Sequence, residues 1–325
     1  MRERQGRRRG LVPVVIPYSG YGGKGFARVL CRVLLARTDS ARRAPTTIRG
    51  WRSFVSIPVA DSVVAITAGE QTFEVHADRG GVVDVDLEVD LEPGVRTITL
   101  QAAGSEPVTA RIFVVDPDAR IGIVSDIDDT VMVTALPRPF LAAWNTFVLD
   151  EHARRPVPGM AVLLERLARE HSGSPVIYLS TGAWNVAPTL DRFMSRHLYP
   201  SGTMLLTDWG PTHDRLFRSG QQHKRDSLAR LAREFPTIRW VLIGDDGQHD
   251  EAIYRAFEAD HPEQVAAVAI RQLSTPEAVF AGGRSHLDDE GAPRGGAPWV
   301  WAPDGAGLAE QLTRVGLLSG PSENL

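Results

Sequence analysis

The sequence predicts an α/β domain, a mostly parallel sheet with helices on both faces, preceded by a small all-β sandwich. Three observations lead there. The chain has 325 residues, more than one average domain. Apolar side chains recur with period two between about residues 51 and 116. Beyond Pro117 short apolar runs alternate with stretches of helical periodicity.

In the first half, Val83 to Glu92 alternates apolar and acidic residues throughout, as a strand with one buried face does. Val95–Gln101 and Ala110–Val115 follow, with Glu-Pro-Gly and Gly-Ser-Glu-Pro as turn signals between them. Short strands at this spacing suit an antiparallel sandwich, immunoglobulin-like in shape. No catalytic cluster stands in this half, so residues 1–118 are read as a basic leading segment plus a binding or scaffold domain.

The second half, 119–325, reads as the catalytic domain. Its strands are Ile121–Ser125, Pro175–Leu179, Thr203–Thr207, Arg239–Ile243 and Val265–Ile270. Helices are expected at Met160–Arg169, 186–197, 224–235, 250–260 and, last, Leu308–Leu318, with a Gly/Pro-rich loop over 282–298. Phe140–Leu149 reads as an apolar helix that packs on the core or forms a lip for acyl chains, which Trp184 and Trp209 could join.

Composition narrows the function. Hydrophobic residues make up 43% and charged residues 23%, which excludes wholesale disorder. The net charge of −4 argues against a general nucleic-acid binder, and no nucleic-acid partner is expected. A lone cysteine, Cys31, excludes an internal disulfide framework and a Cys-rich zinc site. No apolar run reaches the roughly 18–20 residues of a membrane span. The leading apolar stretch Leu11–Ile16 carries Pro13 and falls short of a signal segment, so a cytoplasmic protein is expected. Residues 1–52 hold thirteen basic residues and two acids. That excess reads as a solvated basic face, or as a peripheral contact with an anionic membrane surface. Of the 36 basic residues only Lys24 and Lys224 are Lys.

In doubly wound sheets ligands bind beyond the carboxyl ends of the strands. The first strand runs into Asp126-Ile127-Asp128-Asp129-Thr130, the second into Ser180-Thr181-Gly182, and the fourth into Gly244-Asp245-Asp246, with Asp250 just after. Lys224 is expected to open the helix before the fourth strand. Carboxylates converging at one sheet edge repel unless a hard cation lies among them, and oxygen-only donors suit Mg²⁺. A carboxylate there can attack phosphorus, a second can move the proton, and a hydroxyl and an ammonium can hold phosphoryl oxygens. A compact ammonium at Lys224 fits beside a phosphoryl group where a forked guanidinium would not. Asp129 is read as a cap of the following turn, Thr130 as a structural hydroxyl, and Ser180 either as a helix cap or as a phosphate ligand. His213, His223 and His249 are not read as ligands, because a hard-ion site has no need of imidazole.

Asp126-Ile-Asp-Asp-Thr130 resembles the DxDxT motif of the haloacid dehalogenase-like (HAD) phosphatases. Ser180, Lys224 and Gly244–Asp250 follow in that family's order across roughly residues 119–272. The resemblance implies a HAD-like Rossmannoid sheet, Asp126 as nucleophile and Asp128 as general acid/base. It implies Mg²⁺ on Asp126, the Asp128 backbone carbonyl and Asp245, with phosphate held by Ser180, Thr181 and Lys224. The fourth metal-organising place falls to Asp246 or Asp250, and the GDxxxxD spacing favours Asp250. DIDDTV, RPVPGM, YLSTGAWN, LLTDWGPT, HKRDSL and IGDDGQHDEAIY are similar to one subgroup, the Mg²⁺-dependent phosphatidate phosphatases of the actin-patch-associated type. That likeness implies a phospholipid substrate, phosphatidate, split to diacylglycerol and phosphate. A HAD phosphatase for a soluble phosphomonoester and a non-catalytic lipid-binding or scaffold protein are the rival readings.

Overall fold

The computed structural model describes residues 2–37, 57–133, 155–207, 213–247, 249–281 and 296–320. Phe140–Leu149, Trp209 and most of the 282–298 loop lie outside the described residues. Packing divides the chain into two compact units, Met1–Pro117 with Ala183–Thr189, and Asp118–Gly182 with Leu190–Leu325.

The first unit opens on a short helix, α1 (Arg2–Arg8), followed by nine strands. These are β1 (Leu11–Pro17), β2 (Gly20–Gly23), β3 (Phe26–Arg37), β4 (Ile57–Pro58), β5 (Val63–Ala68), β6 (Gln71–His76), β7 (Val82–Leu87), β8 (Gly94–Ala102) and β9 (Val108–Val114). Their order is β1-β3-β2-β9-β8-β5-β6, with β4 and β7 also paired to β3. Period two is plainest in β8, where Ile98, Leu100 and Ala102 point into the core and Thr97, Thr99 and Gln101 face out. One apolar cluster, including Val29, Val33, Ile66, Leu100 and Ile112, runs through the unit. The sheet is not wholly antiparallel, because β2 and β9 run parallel. The acidic alternation after Val83 forms a strand only as far as Leu87, where its partner β3 reaches its start: Leu87 pairs with Ala27. β3 buries residues on both faces, including Cys31, whose thiol burial pushes up to about 12. Trp184, 5% exposed, stacks on Tyr18 at 4.7 Å between ring centres within this unit, so it forms no open lip.

The second unit is a mixed α/β structure. Its main strands are β10 (Ile121–Asp126), β13 (Val176–Ala183), β14 (Thr203–Thr207), β15 (Arg239–Asp245), β16 (Val265–Arg271) and β17 (Trp299–Ala302). A small pair, β11 (Met132–Val133) and β12 (Arg155–Pro156), closes the turn after β10. The helices are α2 (Met160–Glu170), α3 (Ala187–Arg196), α4 (His213–Glu234), α5 (Asp250–Asp260), α6 (Thr275–Ala281) and α7 (Gly305–Arg314). Every described register in the main sheet is parallel. The apolar runs read from the sequence follow from this, since strands buried on both faces lose alternation. α7 packs on α2, β16 and β17, while α5 packs on α4, β15 and β16. The closing helix begins three residues earlier than its apolar pattern, because Asp304 caps it by accepting from the Gly307 N–H at 2.9 Å.

One expectation needs correction. α4 begins at His213, so Lys224 sits in the middle of a 22-residue helix and does not open it. A Cβ at Gly220 would lie 2.9 Å from Thr181 Cγ2, so glycine lets α4 pass close to the end of β13. Among the described residues no helix is long and apolar enough to cross a membrane.

Candidate active site

Read by chain position, the main sheet runs third, second, first, fourth, fifth, sixth. The order reverses between β10 and β15, and a doubly wound sheet opens a crevice outside the carboxyl ends at such a switch point. β10 ends in Asp126 and β15 in Asp245. Topology alone therefore sets two acids side by side at the crevice.

Lys224 reaches this point from α4. Its Nζ donates to Asp126 Oδ1 at 2.6 Å and to Asp250 Oδ1 at 2.6 Å, with all three side chains at most 9% exposed. Asp250 stands in the first turn of α5, where the helix dipole favours a negative charge. Gly244 makes room for it: a Cβ there would fall 2.6 Å from Asp250 Oδ2. Asp245 is held from two sides, accepting from the Gly247 N–H at 2.6 Å and from Thr130 Oγ1 at 3.4 Å. Thr130 thus serves as the structural hydroxyl expected of it, and its acceptor is a site carboxylate.

The other candidates divide. Ser180 Oγ donates to Asp128 Oδ2 at 2.8 Å and accepts from the Gly182 N–H at 2.9 Å. It thereby orients Asp128 and does not cap a helix. Thr181 is exposed at the end of β13. Asp129 adopts a left-handed backbone (φ 60°) in the turn after β10. Asp246 turns away from the acid cluster, its Oδ1 accepting from the Leu273 N–H at 2.8 Å. His249 immediately precedes α5 as its cap residue. Sequence reasoning passed over Arg271, whose buried guanidinium donates to the Asp129 carbonyl at 2.7 Å. The available signal was a charge closing the otherwise apolar run Val-Ala-Ala-Val-Ala-Ile.

The residues fit a hard divalent cation. Asp126, Asp245 and Asp250 each offer a carboxylate oxygen, and these oxygens lie within 4.8 Å of one another. Asp250 Oδ2 is buried with no hydrogen-bond partner among the described residues. Three carboxylates beside one ammonium leave two negative charges uncompensated, the amount an ion such as Mg²⁺ carries. Burial raises the Asp126 carboxyl well above its ordinary value, and Asp250, Asp128 and Asp245 add to this against the pull of Lys224. Burial, then Asp250 and Asp129, raise Asp245 in the same way. Burial works against the Lys224 charge, but Asp126 and Asp250 outweigh it and hold the ammonium above its ordinary value.

The sign of the pH dependence follows. Carboxyls raised in the folded state stabilise the metal-free protein fully below the ordinary value of 3.8, and that stability is lost as pH rises through the native values. A cation competes with those protons. The rise in melting temperature on adding Mg²⁺ should therefore grow from about pH 5 to about pH 8. A rise that is flat or falls with pH, measured by thermal shift, would contradict this linkage.

Asp246 and Asp250 should separate cleanly. Asp246→Ala is expected to cost about 1–3 kcal/mol of stability by orphaning the Leu273 amide, with the Mg²⁺-induced shift intact. Asp250→Asn should remove the shift. Thermal melts with and without Mg²⁺ distinguish the two, and the opposite pattern would exchange the roles.

Fold and site together define an α/β domain with a carboxylate–lysine centre at the switch point of a parallel sheet. Residues 121–272 match the family model for the catalytic domain of phosphatidate phosphatase APP1. Over 203 residues, 61% of this chain, it is 24% identical to phosphatidate phosphatase APP1 of Saccharomyces cerevisiae. Over 184 residues, 55% of this chain, it is 26% identical to an uncharacterized protein of Schizosaccharomyces pombe. The matches cover 34% and 30% of those relatives, so the chain spans about a third of their length. Among solved structures, a carbohydrate acetylesterase from Xanthomonas citri aligns with a TM-score of 0.30 at 10% identity, covering 80% of this chain and 68% of that one.

Proposed function

We propose that the α/β unit is a HAD-like, Mg²⁺-dependent phosphatase that hydrolyses a phosphomonoester, phosphatidate in particular, through an aspartyl-phosphate on Asp126. The observation that carries the reading is the double hydrogen bond of Lys224 to Asp126 and Asp250 beside Asp245. The substrate rests on the family match over residues 121–272.

An oxygen of Asp126 attacks phosphorus, forming the acyl-phosphate bond as the bond to the leaving alcohol oxygen breaks. Asp128, oriented by Ser180, gives that oxygen its proton. Asp128 then takes a proton from water as the water oxygen attacks phosphorus, which frees Asp126 and releases phosphate. Lys224 supplies a fixed positive charge through both steps. Thr181 at the end of β13 is assigned to the phosphoryl oxygens, and so is Ser180, whose single hydroxyl proton would turn from Asp128 to the phosphoryl group when substrate binds. Asp126, Asp245 and Asp250, with the Asp128 carbonyl, would hold Mg²⁺, which when bound offsets charge on the phosphoryl group. The exposed Arg4, Arg7, Arg8 and Arg9 in and just after α1 support a peripheral contact with an anionic membrane.

The test is phosphate release with Mg²⁺ from phosphatidate in detergent micelles, beside a soluble phosphomonoester. Preference for phosphatidate is expected. Turnover of the soluble ester alone would overturn the substrate and leave the chemistry standing, and no release from either would overturn both.

A further inference from the structure

Arg271 closes β16 at 4% exposure and belongs to none of the motifs assigned to catalysis. Its guanidinium spans three segments. Nη1 donates to the Asp129 carbonyl at 2.7 Å, Nη2 to Glu277 Oε1 at 2.8 Å, and Nε to the Pro303 carbonyl at 3.3 Å. Its own backbone carbonyl accepts from the Asp246 N–H at 2.9 Å. One residue therefore grips both acid-bearing turns, the one after β10 with its side chain and the one after β15 with its main chain.

The gripped turn is a costly one. Asp129 holds φ 60°, a region that disfavours side chains other than glycine's. The turn is closed by Asp129 N–H on the Met132 carbonyl at 2.9 Å and pinned again where Tyr199 Oη donates to the Val131 carbonyl at 2.7 Å. Asp128 precedes the strained peptide, and its side chain is directed by Ser180 at 2.8 Å. The Asp129 carbonyl lies in the peptide just after that residue, so the Arg271 bond to it helps fix the turn that carries Asp128.

We propose that Arg271 is a positioning residue: it acts through the Asp129 carbonyl to hold Asp128 in reach of the reacting oxygen, and it fixes the separation of the two acid-bearing turns. This rests on the hydrolase reading above for its kinetic part. A planar fork is required because three acceptors lie in different directions, which a single ammonium cannot serve together. Glu277 anchors the fork from α6 and also accepts from the Ser274 N–H at 2.8 Å.

The test compares wild type with Arg271→Gln, Arg271→Lys and Glu277→Gln, reading kcat and KM beside hydrogen exchange of the peptide spanning 126–133. For Arg271→Gln, kcat should fall about 10–100-fold, the usual effect of losing an outer partner of a catalytic group, with KM within about twofold. Arg271→Lys should recover part of the loss, and Glu277→Gln should show a smaller loss of the same kind. Exchange should quicken in 126–133 while the core strands β13 and β15 stay protected. A folded Arg271→Gln protein with wild-type kcat and unchanged exchange at 126–133 overturns the proposal, as does exchange quickened evenly across the sheet. If neither Arg271 variant folds, Glu277→Gln decides by the same two readouts. A wild type inactive on every phosphomonoester would sink the hydrolase reading alone, and exchange would still judge Arg271.

Discussion

Asp126→Asn is expected to abolish phosphate release, lowering kcat by about 10³-fold or more, because an amide cannot supply the attacking oxygen. The fold should survive. Asn keeps the shape, and its Oδ1 can still accept from Lys224 Nζ, the contact Asp126 makes at 2.6 Å. The metal-free protein should even melt higher. Burial and three neighbouring carboxylates oppose charge on Asp126, and the substitution removes that opposition. Phosphate release and thermal melts on the same preparation check both halves. Activity equal to wild type would end the nucleophile assignment, and a lower metal-free melting temperature would mean that the Lys224 pair outweighs the burial of charge.

Lys224→Met carries the second large effect. Removing the ammonium leaves Asp126 and Asp250 facing each other without a cation, and breaking a buried pair in this way costs about 3–5 kcal/mol. Loss of the fixed charge at the phosphoryl group should lower kcat by about 10²–10³-fold. Lys224→Arg sharpens the point. Both acceptors lie 2.6 Å from a single nitrogen, a geometry that a compact ammonium meets and a planar guanidinium does not. The Arg variant should keep most of the stability and still lose at least about tenfold in kcat, or roughly 1.4 kcal/mol. Kinetics matched to wild type would show that charge alone is needed there.

The parts of this site that the sequence displays are those that parallel-sheet physics forces to the surface of the pattern. Strands buried on both faces read as unbroken apolar runs, so the first acid after each run, Asp126 or Asp245, marks the crevice. Lys224 stood out against 34 Arg, although its place within α4 did not, since the helix already begins at His213. Asp246 and Asp250 could be ranked by spacing, but only the turn onto β16 makes plain that Asp246 serves the Leu273 amide. Arg271 was illegible for a simple reason. A charge at the end of a strand usually faces water, and this one is buried by segments far away in sequence, at Asp129 and Pro303. In the first unit, β1 to β3 were hidden because β3 buries both faces while carrying Arg28 and Arg32. No period of two is visible in such a strand.

The position of β10 has a consequence for how the molecule is made. It is the first strand of its sheet to leave the ribosome, yet it lies between two later ones: Ile123 pairs with Val176 and Ile121 with Arg239. Until residues beyond 239 have been synthesised, one edge of β10 has no mate, and unpaired edges invite association with other chains. The acids of the site are spread over the same span, from Asp126 to Asp250. Charge crowding is thereby deferred until the second half of the domain is made, by which time Lys224 already stands in the chain ahead of Asp245 and Asp250.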